Sequence, residues 1–224
     1  MLLLLLLCAA VGADRLGKGI AEDRVAQQIA ERGGLAGTPT VEIGGFPFLT
    51  QALRGRYDDV RVSLSAEQLG QPSGTAADVS LRGVHLPLAD ALSGSVAEVP
   101  VDRVDGTATL SYALLAAQLP GDTTLAPEGS GVRVTRTVEV LGREVPLTAV
   151  GTVGLDGGEL VVDVDEAAAS GVDVPDFVVD RAADLLDFRH PVPALPFGLQ
   201  LSGVRPAADG VHVAVEATDT VLRG

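Results

Sequence analysis

The stretch 44–64, GGFPFLTQALRGRYDDVRVSL, holds two periodicities back to back. Its first part, 44–57, reads as a turn at Gly44 and Gly45, then a short helix with Pro47 at its first position and Gly55 as its stop. The second part alternates, with Val60, Val62 and Leu64 on one face and Asp59, Arg61 and Ser63 on the other, so one sheet face is buried and one is wet. Helical and strand spacing meeting at one glycine predict a mixed α+β protein with an antiparallel sheet. The helical part also concentrates two of the five phenylalanines, one of the two tyrosines and two arginines, in a chain that is 3% aromatic. Phe46, Leu49 and Leu53 are spaced to share one helical face, with Arg54 and Arg56 at the exit. These residues alone admit two readings. One is a short core helix closing a sheet, with solvated arginines; the other is an apolar plug beside two cations, suited to a greasy ligand with an anionic end.

Outward from this stretch, 14–32 reads as a helix with Leu16, Ile20, Val25 and Ile29 as its apolar stripe, stopped by Gly33 and Gly34. A short strand is expected at 40–43. Beyond the motif, Val79 and Leu81 alternate up to Gly83, where the apolar phase shifts to Val84, Leu86 and Leu88 as a bulge would produce. A strand over 99–110 is followed by a short helix at 112–119 that Ser111 can cap. Val132, Val134, Val138 and Val140 share a face, and turns at 141–143 and 156–158 predict three consecutive antiparallel strands. A second helix is expected over 174–188, with Phe177, Val178, Leu185 and Leu186 on its apolar side, then an irregular proline-rich loop at 189–198. A last hairpin joins 197–204 to 211–217. The expected fold is a single α+β domain over 14–224, a long twisted antiparallel sheet with one face covered by two helices.

Composition narrows the function classes. Of 224 residues, 46% are hydrophobic and 21% charged, as in a folded chain with a substantial core. Thirty acidic against sixteen basic residues give a net charge of −14, which argues against nucleic acid as a partner because no basic stripe exists to neutralise phosphates. Cys8 is the one cysteine, so the chain forms no intramolecular disulfide and no cysteine metal site. The run 1–13, MLLLLLLCAAVGA, is followed at once by Asp14 and Arg15. It is shorter than the roughly 20 residues a membrane-spanning helix needs but suits the apolar region of a signal peptide, with Val11 and Ala13 at a cleavage site. This predicts export, to the periplasmic side of the plasma membrane. No basic residue precedes the leucines, so an uncleaved anchor with a start further upstream, or a buried amino-terminal helix, stay open.

Catalytic and metal-binding signatures are missing from the sequence. His85, His190 and His212 stand at no metal-ligand spacing, and no G-x-S-x-G elbow accompanies them. Asp163, Asp165 and Glu166 fail as a calcium loop because Ala167 and Ala168 occupy ligand and turn-glycine positions. Arg136 stands out on its valine face. It must reach solvent or meet an anion, since burying a guanidinium unpaired is costly.

Three segments, AEDRVAQQIAERGGL at 21–35, GGFPFLTQALRGRYDDVRV at 44–62 and LPFGLQLSGVRPAADGVHVAVEAT at 195–218, resemble the LmeA-like phospholipid-binding family of actinobacterial envelope proteins. The resemblance implies an exported or tethered protein that binds phospholipids, anionic ones included, and assists assembly of envelope glycolipids such as lipomannan, with an envelope biosynthetic enzyme as partner. It also implies a fold like the tubular lipid-binding (TULIP-like) proteins, in which a strongly curved antiparallel sheet wraps helices around an acyl-chain cavity. No catalytic residues and no cofactor come with it. A sixteen-carbon tail costs on the order of 12 kcal/mol when exposed, at about 0.8 kcal/mol per methylene, so a binder must enclose most of it. The candidate tail contacts are Phe46, Phe48, Leu49, Leu53, Phe177, Val178, Phe188 and Phe197. The candidate headgroup cations are Arg54, Arg56 and Arg136, with the membrane surface as a further partner. Two other readings compete: a scaffolding module that binds a partner protein through its apolar motif without a cavity, and a glycolipid hydrolase, which the missing nucleophile motif disfavours.

Overall fold

The computed structural model describes residues 1–93, 98–119, 122–140, 143–156, 159–169, 188–191, 195 and 198–223. In chain order the elements are α1 (Leu2–Gly33), β1 (Thr40–Ile43), α2 (Phe48–Arg54), β2 (Arg56–Ser65), α3 (Ala66–Leu69), β3 (Ala76–His85), α4 (Leu88–Ser93), β4 (Glu98–Leu110), α5 (Tyr112–Ala117), β5 (Thr124–Glu128), β6 (Gly131–Val140), β7 (Arg143–Asp156), β8 (Glu159–Ala169), β9 (Phe188–Pro191), β10 (Gln200–Ala207) and β11 (Gly210–Arg223).

The α+β class with a large antiparallel sheet is borne out, and the strands divide between two sheets. The first has the order β1-β2-β3-β4-β11-β10 and does not close on itself; the second runs β5-β6-β7-β8-β9. Every pairing is antiparallel. The edge strand β10 lies against β7 and β6, which joins the two sheets.

The alternation read in β2 places Val60 and Val62 in the core with Val41, Ile43, Val101 and Val104. The opposite face of the first sheet is a cross-strand ladder of charge. Arg61 pairs with Asp59, which also accepts from the Ser80 hydroxyl, and Arg103 bridges Asp105 and Glu216. The Arg103 guanidinium holds the Asp105 carboxyl below its ordinary value. One face of this sheet is therefore dry and the other wet, as period-two patterning requires.

The phase shift at Gly83 has a different cause from a bulge. Gly83 adopts φ 62° and drops out of the pairing with both neighbouring strands, while the register on either side is unchanged. A Cβ there would fall on the Asp102 carboxylate. Only glycine suits both demands.

α1 lies along the dry face. Ala26 is buried, and Ala21, Val25 and Ile29 pack against the sheet core. Leu16 and Ile20 stay exposed, so the expected four-residue stripe is corrected. The step from Ile20 to Val25 is five residues, about 140° further round a 3.6-residue helix, which puts the two pairs on different faces. The Glu22 carboxylate accepts the Ile43 N–H at 2.6 Å, covering the open edge of β1. At one end of α1 the buried Asp14 accepts the Leu49 N–H of α2 at 2.8 Å; beyond the other, Ala36 and Gly37 donate to the Gln68 carbonyl of α3. The helix thus spans the sheet from the α2 end to the α3 end. From Asp14 to Gly33 it covers about 28 Å, close to the roughly 33 Å of β2. Residues 1–13 overhang the α2 end, with Met1 to Leu7 fully or largely exposed. No helix among the described residues is long and apolar enough to cross a membrane.

The Ser111-capped helix forms as α5, its hydroxyl accepting the Leu114 N–H. The stretch 189–198, expected to be irregular, contributes its first residues to β9, which pairs with β8. β5 was not expected, and it pairs with β6 despite Pro127 because it is the edge of its sheet. The helix expected over 174–188 lies, apart from Phe188, outside the described residues. Gly83→Ala is expected to lower the unfolding free energy by at least about 1–2 kcal/mol, the cost of left-handed backbone with a Cβ, read from the denaturant midpoint.

Candidate functional site

The stretch that joins the two periodicities builds one end of the molecule. Pro47 caps α2 in an extended conformation after a cis Phe46–Pro47 bond, one position before the place read from sequence. The helix ends where expected, with Gly55 in the left-handed region donating back to Ala52 and Gln51.

α2 has two unlike faces. Phe48, Gln51 and Ala52 point inward, and the Phe48 ring packs on Tyr57 with centroids 6.1 Å apart. Burial pushes the Tyr57 hydroxyl pKa up. The Gln51 amide ties the site to the sheet by donating to the Gly44 carbonyl at 3.0 Å and accepting the Asp58 N–H at 2.9 Å. Gly17 on α1 faces the Leu49 and Phe48 side chains across the contact between the two helices.

Phe46, Leu49 and Leu53 form the outward face, 62%, 41% and 79% exposed. The shared helical face read from spacing holds for Leu49 and Leu53, with Phe46 exposed just before the helix, and it is the face turned to solvent. Phe48, at 6% exposure, belongs to the core instead. The guanidinium of Arg15 lies 5.9 Å from the centre of the Phe46 ring. Arg54 is exposed at the last helical position, and no ion pair engages it among the described residues. Arg56 is held by Asp102 at 2.7 Å, and the same carboxylate meets His85 Nε2 at 3.0 Å.

The other proposed residues lie elsewhere. Arg136 is exposed on β6 in the second sheet, the solvent-reaching alternative of the two read for it. Phe188 opens β9, where its backbone pairs with Val162. Phe177, Val178 and Phe197 lie outside the described residues. Two open clefts flank the first sheet. One of 330 Å³ runs between α1 and β1 past Glu22 and Asp23; one of 580 Å³ sits at the opposite end from α2 between Ser65, Thr75 and Asp209. Both mix polar and apolar walls, and neither includes an α2 residue. Among the described residues no group of His, Cys, Asp and Glu could hold a metal.

Asp14, Arg15 and Gln51 were not assigned to the site from the sequence. The first two act from α1, about thirty residues before the motif they serve, so no local spacing marks them. Gln51 is a polar residue on an inward helical face, and that was the available signal.

α2 thus presents an exposed apolar face with arginines at its margin. The chain belongs to the LmeA-like phospholipid-binding family, whose model matches residues 12–216. That description concerns binding and not catalysis, which fits a non-enzyme, and it supports phospholipid as the ligand class. Comparison with curated proteins and with solved structures returned no match. Gln51→Ala is expected to destabilise the fold by about 1–3 kcal/mol through the unsatisfied partners it leaves, whereas Leu53→Ser changes stability by less than about 0.5 kcal/mol; urea titrations of both check this.

Proposed function

We propose that the protein is a non-enzymatic phospholipid-binding protein of the cell envelope, one domain over 14–224 led by an export signal or anchor at 1–13. The single observation that carries the reading is the family match over 12–216. The exposed face of Phe46, Leu49 and Leu53 supplies the apolar contact, and Arg54 at its margin supplies a cation for a lipid phosphate. Arg56 serves the headgroup through its pair with Asp102, which an incoming phosphate would have to displace. The tail is enclosed with the help of Phe177, Val178, Phe188 and Phe197, and Arg136 contributes from the second sheet. A role in lipomannan-type glycolipid assembly, and any transfer of lipid between membranes, rest on the resemblance of the three quoted segments.

The exposure of the α2 face also favours a second reading, a scaffolding module that covers this patch with an envelope protein. The two separate by what comes with the protein. Native mass spectrometry of protein purified from its host is expected to show bound phospholipid, with the bound fraction falling about tenfold or more in a Phe46→Ser, Leu53→Ser double variant, equivalent to 1.4 kcal/mol or more. A clean apo mass, with no uptake from labelled vesicles, overturns the lipid reading and leaves the scaffold.

A further inference from the structure

We propose that the α1–α2 end is a bilayer-docking surface: Phe46 and Leu53 enter the headgroup boundary, Arg15 and Arg54 lie on anionic phosphates, and the overhang of α1 enters the same leaflet. This deepens the lipid reading by naming the orientation in which the protein meets a membrane, and it rests on that reading.

Three observations carry it. First, the exposed apolar side chains of α2 and the exposed run from Met1 to Leu7 belong to one end of the molecule, because Asp14 fixes α1 to α2 at the point where α1 leaves the sheet. Second, the charge at this end fits an anionic surface. In a chain of net −14, Arg15 and Arg54 border the apolar face without an ion-pair partner among the described residues, and Arg15 covers the Phe46 ring. Juxtaposed basic and apolar residues give the electrostatic and hydrophobic terms that together hold a protein on a membrane surface. Third, the cleft at the far end of the first sheet is lined by Glu67 and Asp209 and by no basic residue, so that end does not suit an anionic surface.

The chain contains no tryptophan, so one introduced indole reports its own depth without background. The full-length chain is studied as Phe46→Trp, Leu53→Trp and, at the far end, Leu119→Trp, with vesicles of phosphatidylcholine and phosphatidylglycerol at three to one carrying brominated tails. The expected result is a blue shift and strong quenching at positions 46 and 53 and none at 119. Arg15→Glu with Arg54→Glu should lower the vesicle-bound fraction severalfold in low salt and less in high salt. Bound protein with position 46 unquenched overturns the proposal, as does failure to bind, loss of the salt-dependent difference, or a stable dimer that the Leu53→Ser change abolishes. Quenching that persists undiminished in protein re-isolated from vesicles belongs to a carried lipid, and it too overturns docking. Native mass spectrometry of the same preparations reads the lipid reading separately: carried phospholipid without docking leaves that reading standing, and its absence removes it.

Discussion

The hydrogen bond from the Leu49 N–H to the buried carboxylate of Asp14 sets where α2 sits, and with it which side chains meet solvent. A buried carboxylate is tolerated when it is hydrogen-bonded, and removing its partner costs more than the bond itself contributes. With Phe48 packed on Tyr57 and Gln51 bonded to Gly44 and Asp58, α2 has little freedom to roll its apolar outer face inward. α1 passes unbroken through the 13/14 junction where cleavage was expected, so Asp14 is the point at which overhang and body meet.

A second constraint follows from the two faces of the first sheet. The dry face is filled by α1, and the wet face carries the ladder from Asp59 and Arg61 to Arg103, Asp105 and Glu216. Among the described residues the large exposed apolar side chains gather at Phe46, on α2 and along the first part of α1, with Leu119 and Val221 standing apart.

Much of the fold was legible because period-two alternation with a dry and a wet side is a strong signal. β1, β2, β4, β6 and the β10–β11 hairpin appear where Val and Leu alternate between turn residues. Their division into two sheets was not legible, since β4 pairs with β11 across the whole intervening chain and no local pattern encodes that partner. The site was half legible. Spacing gave the shared face of Leu49 and Leu53, but direction depends on what α1 contributes, and Asp14 is remote in sequence. Phe46 precedes the helix, so its outward position owes nothing to helical spacing. Gly83 was read as a bulge because a left-handed glycine and an inserted residue shift the apolar phase alike; only the paired register distinguishes them.

The account turns on whether a phospholipid tail lies against the outer face of α2. A phospholipid bearing a photoactivatable diazirine in its tail, irradiated with the protein and mapped by peptide mass spectrometry, reads that contact directly. Labels on Phe46, Leu49 or Leu53 are the predicted result. Labelling confined to the second sheet or to the two clefts, with the 44–57 peptide unmodified, would contradict it.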